Sequence, residues 1–231
     1  MDGAGGTTEL VPRLEGSPLA LAQVDLNAGT AWARSRADDD VLLWVVAGAG
    51  TLSLGGESLA LEPATAALVL AGEEAAVDAS SPLRLLQVTV GPGADRHAAL
   101  GRRETTARLD DGGAEAATGA RSFQLLFGPH NGSTRATLFA GFIPPGKAPW
   151  HYHLYDEIVW VRDGPGRLHL GDGVQELGPG AAFRLRPRQV HIVENASADR
   201  ELAILGVFTP AGSPSAAYLS PEVAAAYVPA G

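Results

Sequence analysis

The feature that most limits what this chain can fold into is an internal repeat. Shifted by 116 positions, residues 34–79 align with residues 150–195 without a gap. Asp40, Trp44 and Val45 fall on Asp156, Trp160 and Val161, and Gly48 and Gly50 fall on Gly164 and Gly166. Leu52, Leu54 and Gly55 match Leu168, Leu170 and Gly171. Further along, Leu61, Pro63, Ala66 and Val77 match Leu177, Pro179, Ala182 and Val193. The shared residues are turn glycines and strand apolars, which set a fold rather than a chemistry. The architecture must therefore be a module small enough to occur twice in 231 residues.

The module reads as all-β. Short apolar or alternating runs at 19–26, 41–47, 51–54, 58–61, 67–70 and 83–90 stand between turn signals. After an interruption they resume at 122–127 and 134–143, and continue to 202–208. This even spacing predicts a barrel or a sandwich, and 29 glycines and 16 prolines suit many tight turns. Asn131-Gly132 is a hairpin signal. We expect modules at 17–90 and 121–212, a loose arm over 1–16, and a linker over 91–120 with a short helix or strand inside. Ser220-Pro221-Glu222 predicts the start of a short C-terminal helix, with Ser as N-cap and Pro at the first position.

Charge and composition exclude several function classes. The net charge is −9 with no Lys/Arg cluster, so no nucleic acid and no anionic membrane is expected as a partner. There are no cysteines, which removes disulfides, thiolate catalysis and Cys-ligated zinc. No basic segment followed by an apolar core opens the chain, and no apolar run has membrane-spanning length, so a cytoplasmic protein is expected. The expected partner is a small-molecule substrate. The apolar strands are compatible with a homodimer.

Chemistry concentrates between Gly146 and Gly164. His151 and His153 are two apart, on one face of a strand. Glu157 opens the next apolar run, and His191 heads another. Three imidazoles and a carboxylate brought together by paired strands make a site for a divalent transition metal, with iron or manganese favoured and nickel, copper or zinc compatible. The repeat sharpens this reading. His151, His153, Glu157 and His191 face Ser35, Ala37, Val41 and Ala75, so all four candidates are missing together from the first half. One copy carries the site and the other is a structural partner.

With these motifs the sequence resembles the cupin superfamily, in the form of a bicupin with one metal site. Gly146, His151, His153, Glu157 and Gly164 follow the family's first motif, with one residue fewer after the first glycine. Gly180, His191 and Asn195 keep the spacing of the second. Arg186 and Arg188 stand where that motif has Pro and Gly, with Pro187 between them, which puts the turn geometry in question. The resemblance covers residues 17–90 and 121–210. It implies a double-stranded β-helix (jelly roll) in each half, with His151, His153, Glu157 and His191 as metal ligands in the second.

Neighbouring residues are read the same way. Val159 and Val161 share the strand face of Glu157 and are candidates for the substrate pocket. Ile158 and Trp160 face the other side, where packing is expected. Tyr155 could reach the pocket mouth, with a solvent-edge position favoured. Arg184, Arg186 and Arg188 alternate with Phe183, Leu185 and Pro187, which places the arginines outward; Arg186 is retained as a candidate for holding an anionic substrate. Four protein ligands leave open positions on the ion. A redox-capable ion of this kind handles O2 and substrate together, as in a dioxygenase. The alternatives are a metal-dependent isomerase or lyase, with Glu157 as a base, and a non-catalytic binding protein.

Overall fold

The structure, a computed structural model, describes residues 5–33, 37–110, 113–116, 121–171 and 173–219. The first half supplies β1 (Gly6–Val11), β2 (Leu19–Leu26), β3 (Ala31–Ala33), β4 (Asp40–Ala47), β5 (Gly50–Leu54), β6 (Glu57–Leu61), β7 (Thr65–Val69), β8 (Ala75–Ala79), β9 (Leu83–Val90) and β10 (Thr106–Arg108). The second supplies β11 (Glu115–Ala116), β12 (Ser122–Phe127), β13 (Thr137–Ile143), β14 (His151–Tyr152), β15 (Asp156–Asp163), β16 (Gly166–Leu170), β17 (Gly173–Leu177), β18 (Ala182–Leu185), β19 (His191–Asn195), β20 (Leu202–Thr209) and β21 (Tyr218–Leu219). A single turn of 3₁₀ helix at Pro129–Asn131 is the one helical element among the described residues. The expected C-terminal helix at 220–222 lies outside them.

The strands form two barrels, each from a six-stranded sheet facing a smaller one. The first pairs β1-β2-β9-β4-β7-β10 with β3-β8-β5-β6; the second pairs β11-β12-β13-β20-β15-β18 with β17-β16-β19-β14-β21. This is the all-β, two-barrel jelly roll that the sequence implies. The repeat survives in the backbone. Left-handed residues recur 116 positions apart: Gly48 and Gly164, Gly55 and Gly171, Ala64 and Gly180, Gly72 and Arg188. The last pair answers the question raised by the second motif. Arg188 has φ 64° where its counterpart in the first barrel is glycine, so the turn keeps its shape against the preference of an L side chain.

The core explains why the central strands are apolar on both faces. In β4, Val41, Leu43 and Val45 fill the lumen of their own barrel, while Leu42 and Trp44 face the neighbouring barrel. β15 repeats the division, with Val159 and Val161 inside and Ile158 and Trp160 outside. One apolar layer therefore runs between the barrels, joining Leu42, Leu86 and Val88 to Phe127, Leu138 and Val207. Two buried ion pairs flank it. Arg135 Nη1 donates to Asp40 Oδ1 at 3.2 Å and to the Asp38 carbonyl at 3.1 Å. At Asp156, the residue that repeats Asp40, Arg184 Nη1 donates to the carboxylate at 2.6 Å, and Arg184 Nη2 donates to the Leu19 carbonyl at 2.9 Å.

Two expectations are corrected, at the N-terminal arm and at Arg184, and two are made specific. Residues 6–11 are not a loose arm: β1 pairs antiparallel with β2. Of the two forms expected inside the linker, its described residues show strand: β10 extends the first barrel by pairing with β7. Arg184 does face away from the lumen, opposite Phe183 and Leu185, but that face meets Asp156 and the N-terminal segment rather than solvent, and its side chain is 8% exposed. The hairpin signalled by Asn131-Gly132 is present, since β12 pairs antiparallel with β13, and its connection includes a 3₁₀ turn at Pro129–Asn131. Asn131 caps it from inside, accepting from the Gly128 N–H and donating to the Leu126 carbonyl.

Because the two barrels share one apolar layer, they should unfold together. Leu86, fully buried in that layer, should cost about 2–5 kcal/mol when changed to Ala. Urea unfolding followed by tryptophan fluorescence and by far-UV circular dichroism should give one coincident transition, shifted to lower urea in the variant. Two separated transitions would show that each barrel stands alone.

Candidate metal centre

The register of the second barrel assembles the site. β14 lies between β19 and β21, and His151 is directly opposite His191 in the β14–β19 pair. His153 follows β14 two positions on, so it projects to the same side. All three imidazoles are buried, and each offers a nitrogen within 4.8 Å of the others. Their ring centroids are 4.4 Å apart for His151–His191, 5.0 Å for His153–His191 and 5.2 Å for His151–His153.

Backbone carbonyls fix which nitrogen each ring presents. His151 Nδ1 lies 2.9 Å from the Pro149 carbonyl, and His191 Nδ1 lies 2.8 Å from the Gln189 carbonyl. His153 Nδ1 is 3.4 Å from the Ala216 carbonyl. A carbonyl only accepts, so each Nδ1 carries the proton and each Nε2 keeps a lone pair. Burial holds the rings neutral, with pKa values lowered to about 4 for His151 and His153 and about 3 for His191. Glu157 comes from β15, in the facing sheet, and its Oε2 is 3.6 Å from His153 Nε2. Burial pushes its pKa up to about 8, against the opposing pull of Arg121.

These residues fit a divalent ion. Lone pairs from three neutral imidazoles crowd together with no donor among them, and a buried carboxylate beside them needs positive charge to ionise. One cation answers both requirements, and a nitrogen-rich set with one oxygen suits a transition metal. A small cavity of about 80 Å³ opens onto this point, walled by Phe123, Phe139, Ile143, Val159 and Leu185 among others. A second cavity of about 120 Å³ joins it at Arg121, His151, His153 and Pro214, and continues past Pro149 and Leu219. The C-terminal segment thus closes part of the mouth, with Tyr218 of β21 stacked on Tyr152 at 5.5 Å.

The structure brings His151, His153 and His191 to one point, and Glu157 stands beside them at His153 rather than within the group. Val159 lines the cavity, whereas Val161 is buried in the barrel core beyond it. Two further expectations need correction. Tyr155 is not at the solvent edge: it is 8% exposed and stacked between His153 (4.5 Å) and Phe208 (4.0 Å), because its ring fills the gap between the ligand loop and β20. Arg186 lies in a separate surface groove with Ser17, Asp156 and Arg184, away from the imidazoles, because the turn after β18 carries it outward. His169, given no role, is buried on the other side of its strand, with Nε2 2.6 Å from Glu194 Oε2.

Sequence reasoning missed Arg121. It immediately precedes β12, lines both cavities, and its charge acts on all three imidazoles and on Glu157. A signal was available. β1 and β12 begin 116 positions apart, so extending the repeat places Arg121 opposite Gly5. Like the metal-site candidates, it exists only in the second half.

Comparisons with known proteins agree with the fold. A model of the cupin domain matches residues 140–208. Comparison with curated proteins finds no match. Among solved structures, a variant of oxalate decarboxylase from Bacillus subtilis superposes with a TM-score of 0.74 at 13% identity, over 99% of this chain and 78% of that one. A cupin 2 conserved barrel domain protein from Leptotrichia buccalis gives 0.66 at 12% identity, over 90% of both chains. AerE from Microcystis aeruginosa gives 0.69 at 12% identity, over 89% and 97%.

The depressed histidine pKa values set a pH dependence for the metal-free protein. Above pH 6.5 the three imidazoles are neutral whether folded or not, and their contribution is complete. As pH falls toward 4, the unfolded chain takes up protons that the folded site refuses, so stability declines. Glu157 works in the opposite direction: its contribution is present at low pH and is lost as pH rises through about 8. Three groups outnumber one, so the urea midpoint of metal-free protein should drop between pH 6.5 and pH 4.5. A midpoint that held constant or rose over that interval would contradict these burial-driven shifts.

Proposed function

We propose that the second barrel, in which a model of the cupin domain matches residues 140–208, is a metal-dependent enzyme site of the dioxygenase type, acting on a small organic substrate. One observation carries the reading. Three imidazoles, each locked in the Nδ1–H form by a backbone carbonyl, turn their free nitrogens to one point at the end of a small, largely apolar chamber. His151, His153 and His191 would hold the ion, with Glu157 as a fourth ligand; iron or manganese suits this set best, and nickel, copper or zinc is compatible. Bound there, such an ion supplies Lewis acidity and, when redox-active, electrons for chemistry with O2.

The chain's own residues prepare the chamber. Phe123, Phe139, Ile143 and Val159 keep water sparse around the reacting molecule, which strengthens every charge interaction inside. Tyr155 braces the His153 ring from one face, and burial raises its phenol pKa, so the hydroxyl stays protonated. Arg121 balances negative charge near Glu157 and at the cavity junction. The pocket is too small for a polymer, which supports a substrate of few heavy atoms.

A second reading, a metal-dependent lyase or isomerase, is favoured by Glu157. Its carboxyl stands beside the tight three-histidine group rather than within it, and its pKa near 8 suits a group that takes up and returns a proton near neutral pH. The oxalate decarboxylase of Bacillus subtilis, which shares the fold, has Mn(II) centres. Neither reading requires a dimer, and a dimer remains compatible with both.

Elemental analysis of the purified protein should give close to one transition-metal ion per chain, and His151→Ala should lose it while keeping the far-UV spectrum. An O2 electrode with a panel of diketones, flavonols, hydroxylated aromatics and small carboxylates should then show substrate-dependent uptake. Turnover that persists without O2 would transfer the reaction to the lyase or isomerase reading. Full metal content in His151→Ala would place the ion elsewhere.

A further inference from the structure

We propose that the substrate of this site is a small carboxylate, and that Arg121 is the residue that selects it by pairing with its carboxyl group. The inference deepens the metal-site reading above and rests on it for where the rest of the substrate lies.

The argument begins with an unanswered charge. Arg121 is half-buried in the wall where the two cavities meet, and desolvation there lowers its pKa from the usual guanidinium value. Arg135 and Arg184 have acidic partners at ion-pair distance, Asp40 and Asp156, and Arg162, for which no ion pair is seen among the described residues, lies over the Trp44 ring instead; Arg121 has neither kind of partner among them. Among the described residues, no carboxylate forms an ion pair or hydrogen bond with Arg121. Glu157 is the acid that acts on it most, yet it stays beyond ion-pair range. A guanidinium does not give up its proton to escape burial, so the site keeps a cation in apolar surroundings. Such a charge is costly unless an anion completes it.

Geometry says which anion. Arg121 sits where the two cavities join, and His151 and His153 line both cavities beside it. A molecule held at Arg121 therefore rests against the proposed ligands. The guanidinium offers two parallel N–H donors at the spacing of carboxylate oxygens, which gives direction as well as charge. The chamber of about 80 Å³ leaves room for a short chain, not for a nucleotide or a sugar phosphate. Net charge points the same way. A divalent ion held beside Arg121 would add to its positive charge and favour an anion in the adjoining cavity. Arg186, the anion-binding candidate from the sequence, is not available for this task because it lies in the separate groove.

Binding can be read without turnover. Protein loaded with zinc, which is redox-inert, is titrated with propionate and with its uncharged near-isostere propionamide, using ligand-observed NMR. Propionate should bind at least 10-fold more tightly than propionamide, since a hydrogen-bonded charge pair is made with only one of them. Arg121→Met should weaken propionate by roughly 10- to 100-fold, leave propionamide unchanged and leave zinc content unchanged. Arg121→Lys should keep part of the preference, because the charge remains without the fork. Equal affinity for the two probes in the unaltered protein would overturn the proposal, and needs no variant to be seen. So would an Arg121→Met protein that folds and still prefers propionate. Failure of the protein to hold zinc would sink the metal-site reading alone; the propionate preference, measured on the same metal-free sample, would still decide the role of Arg121.

Discussion

The apolar layer between the barrels is the interaction on which the rest of this molecule depends. A barrel of about 100 residues has a modest core of its own. Here the central strands of each barrel have a second apolar face, and Trp44, Leu86, Phe127 and Trp160 meet in one cluster across the junction. The layer therefore stiffens β15 from behind. β15 carries Glu157 on its other face, so packing at the junction and geometry at the site are two sides of one strand. Arg184 ties the same strand to the N-terminal segment through Asp156, the residue next to Glu157.

The site itself is held by backbone rather than by side chains. Carbonyls of Pro149, Gln189 and Ala216 choose the tautomers, and the β14–β19 register places His151 against His191. Backbone acceptors have an advantage over carboxylates in this task. They direct the imidazole without adding negative charge, so the positive character of a bound ion stays available to a substrate. The Arg188 turn belongs to the same arrangement: its N–H donates to the His153 carbonyl at 2.6 Å, and its left-handed backbone is kept although glycine would adopt it more readily. Backbone strain at this position is tied directly to a ligand's own peptide unit.

Much of this was legible in the sequence, for a physical reason. Turn glycines and inward apolars are local requirements, and they recur at 116 positions because the same turns and the same lumen are built twice. The histidines stood out because nothing in a jelly-roll core calls for imidazole. What sequence could not reach were the partners that are distant along the chain. Arg184 reads as one of three alternating surface charges until Asp156 and the Leu19 carbonyl are seen around it. Tyr155 reads as a turn residue until Phe208, more than fifty positions away, is found stacked on its ring. Arg121 shows only when the repeat is extended to set it opposite Gly5, and a lone cation at the head of a strand is ordinarily solvated. Residues 6–11 looked loose because Gly-Thr-Thr-Glu has little to bury; pairing with β2 supplies backbone hydrogen bonds in place of burial.

The contrast between the barrels also bears on where the chamber beside the imidazoles lies. In the first, Val41 takes the place of Glu157 and Ala75 that of His191, and the lumen is filled by Trp32, Leu43, Leu52, Val69, Val77 and Leu85. A jelly roll without ligands has no reason to hold a polar void, and close packing is the stable outcome. In the second, polar groups replace some of that packing. Glu157, His151 and His191 bury side chains that make weaker contacts than leucine would, and the carboxyl resists ionising where it stands. The deficit has to be balanced somewhere. An ion held at the three-histidine group would offset part of it, and the apolar layer behind β15 acts from the opposite face of the same strand. The first barrel is thus more than a relic of duplication: by packing solidly against the second, it supports a site that would otherwise weaken its own barrel.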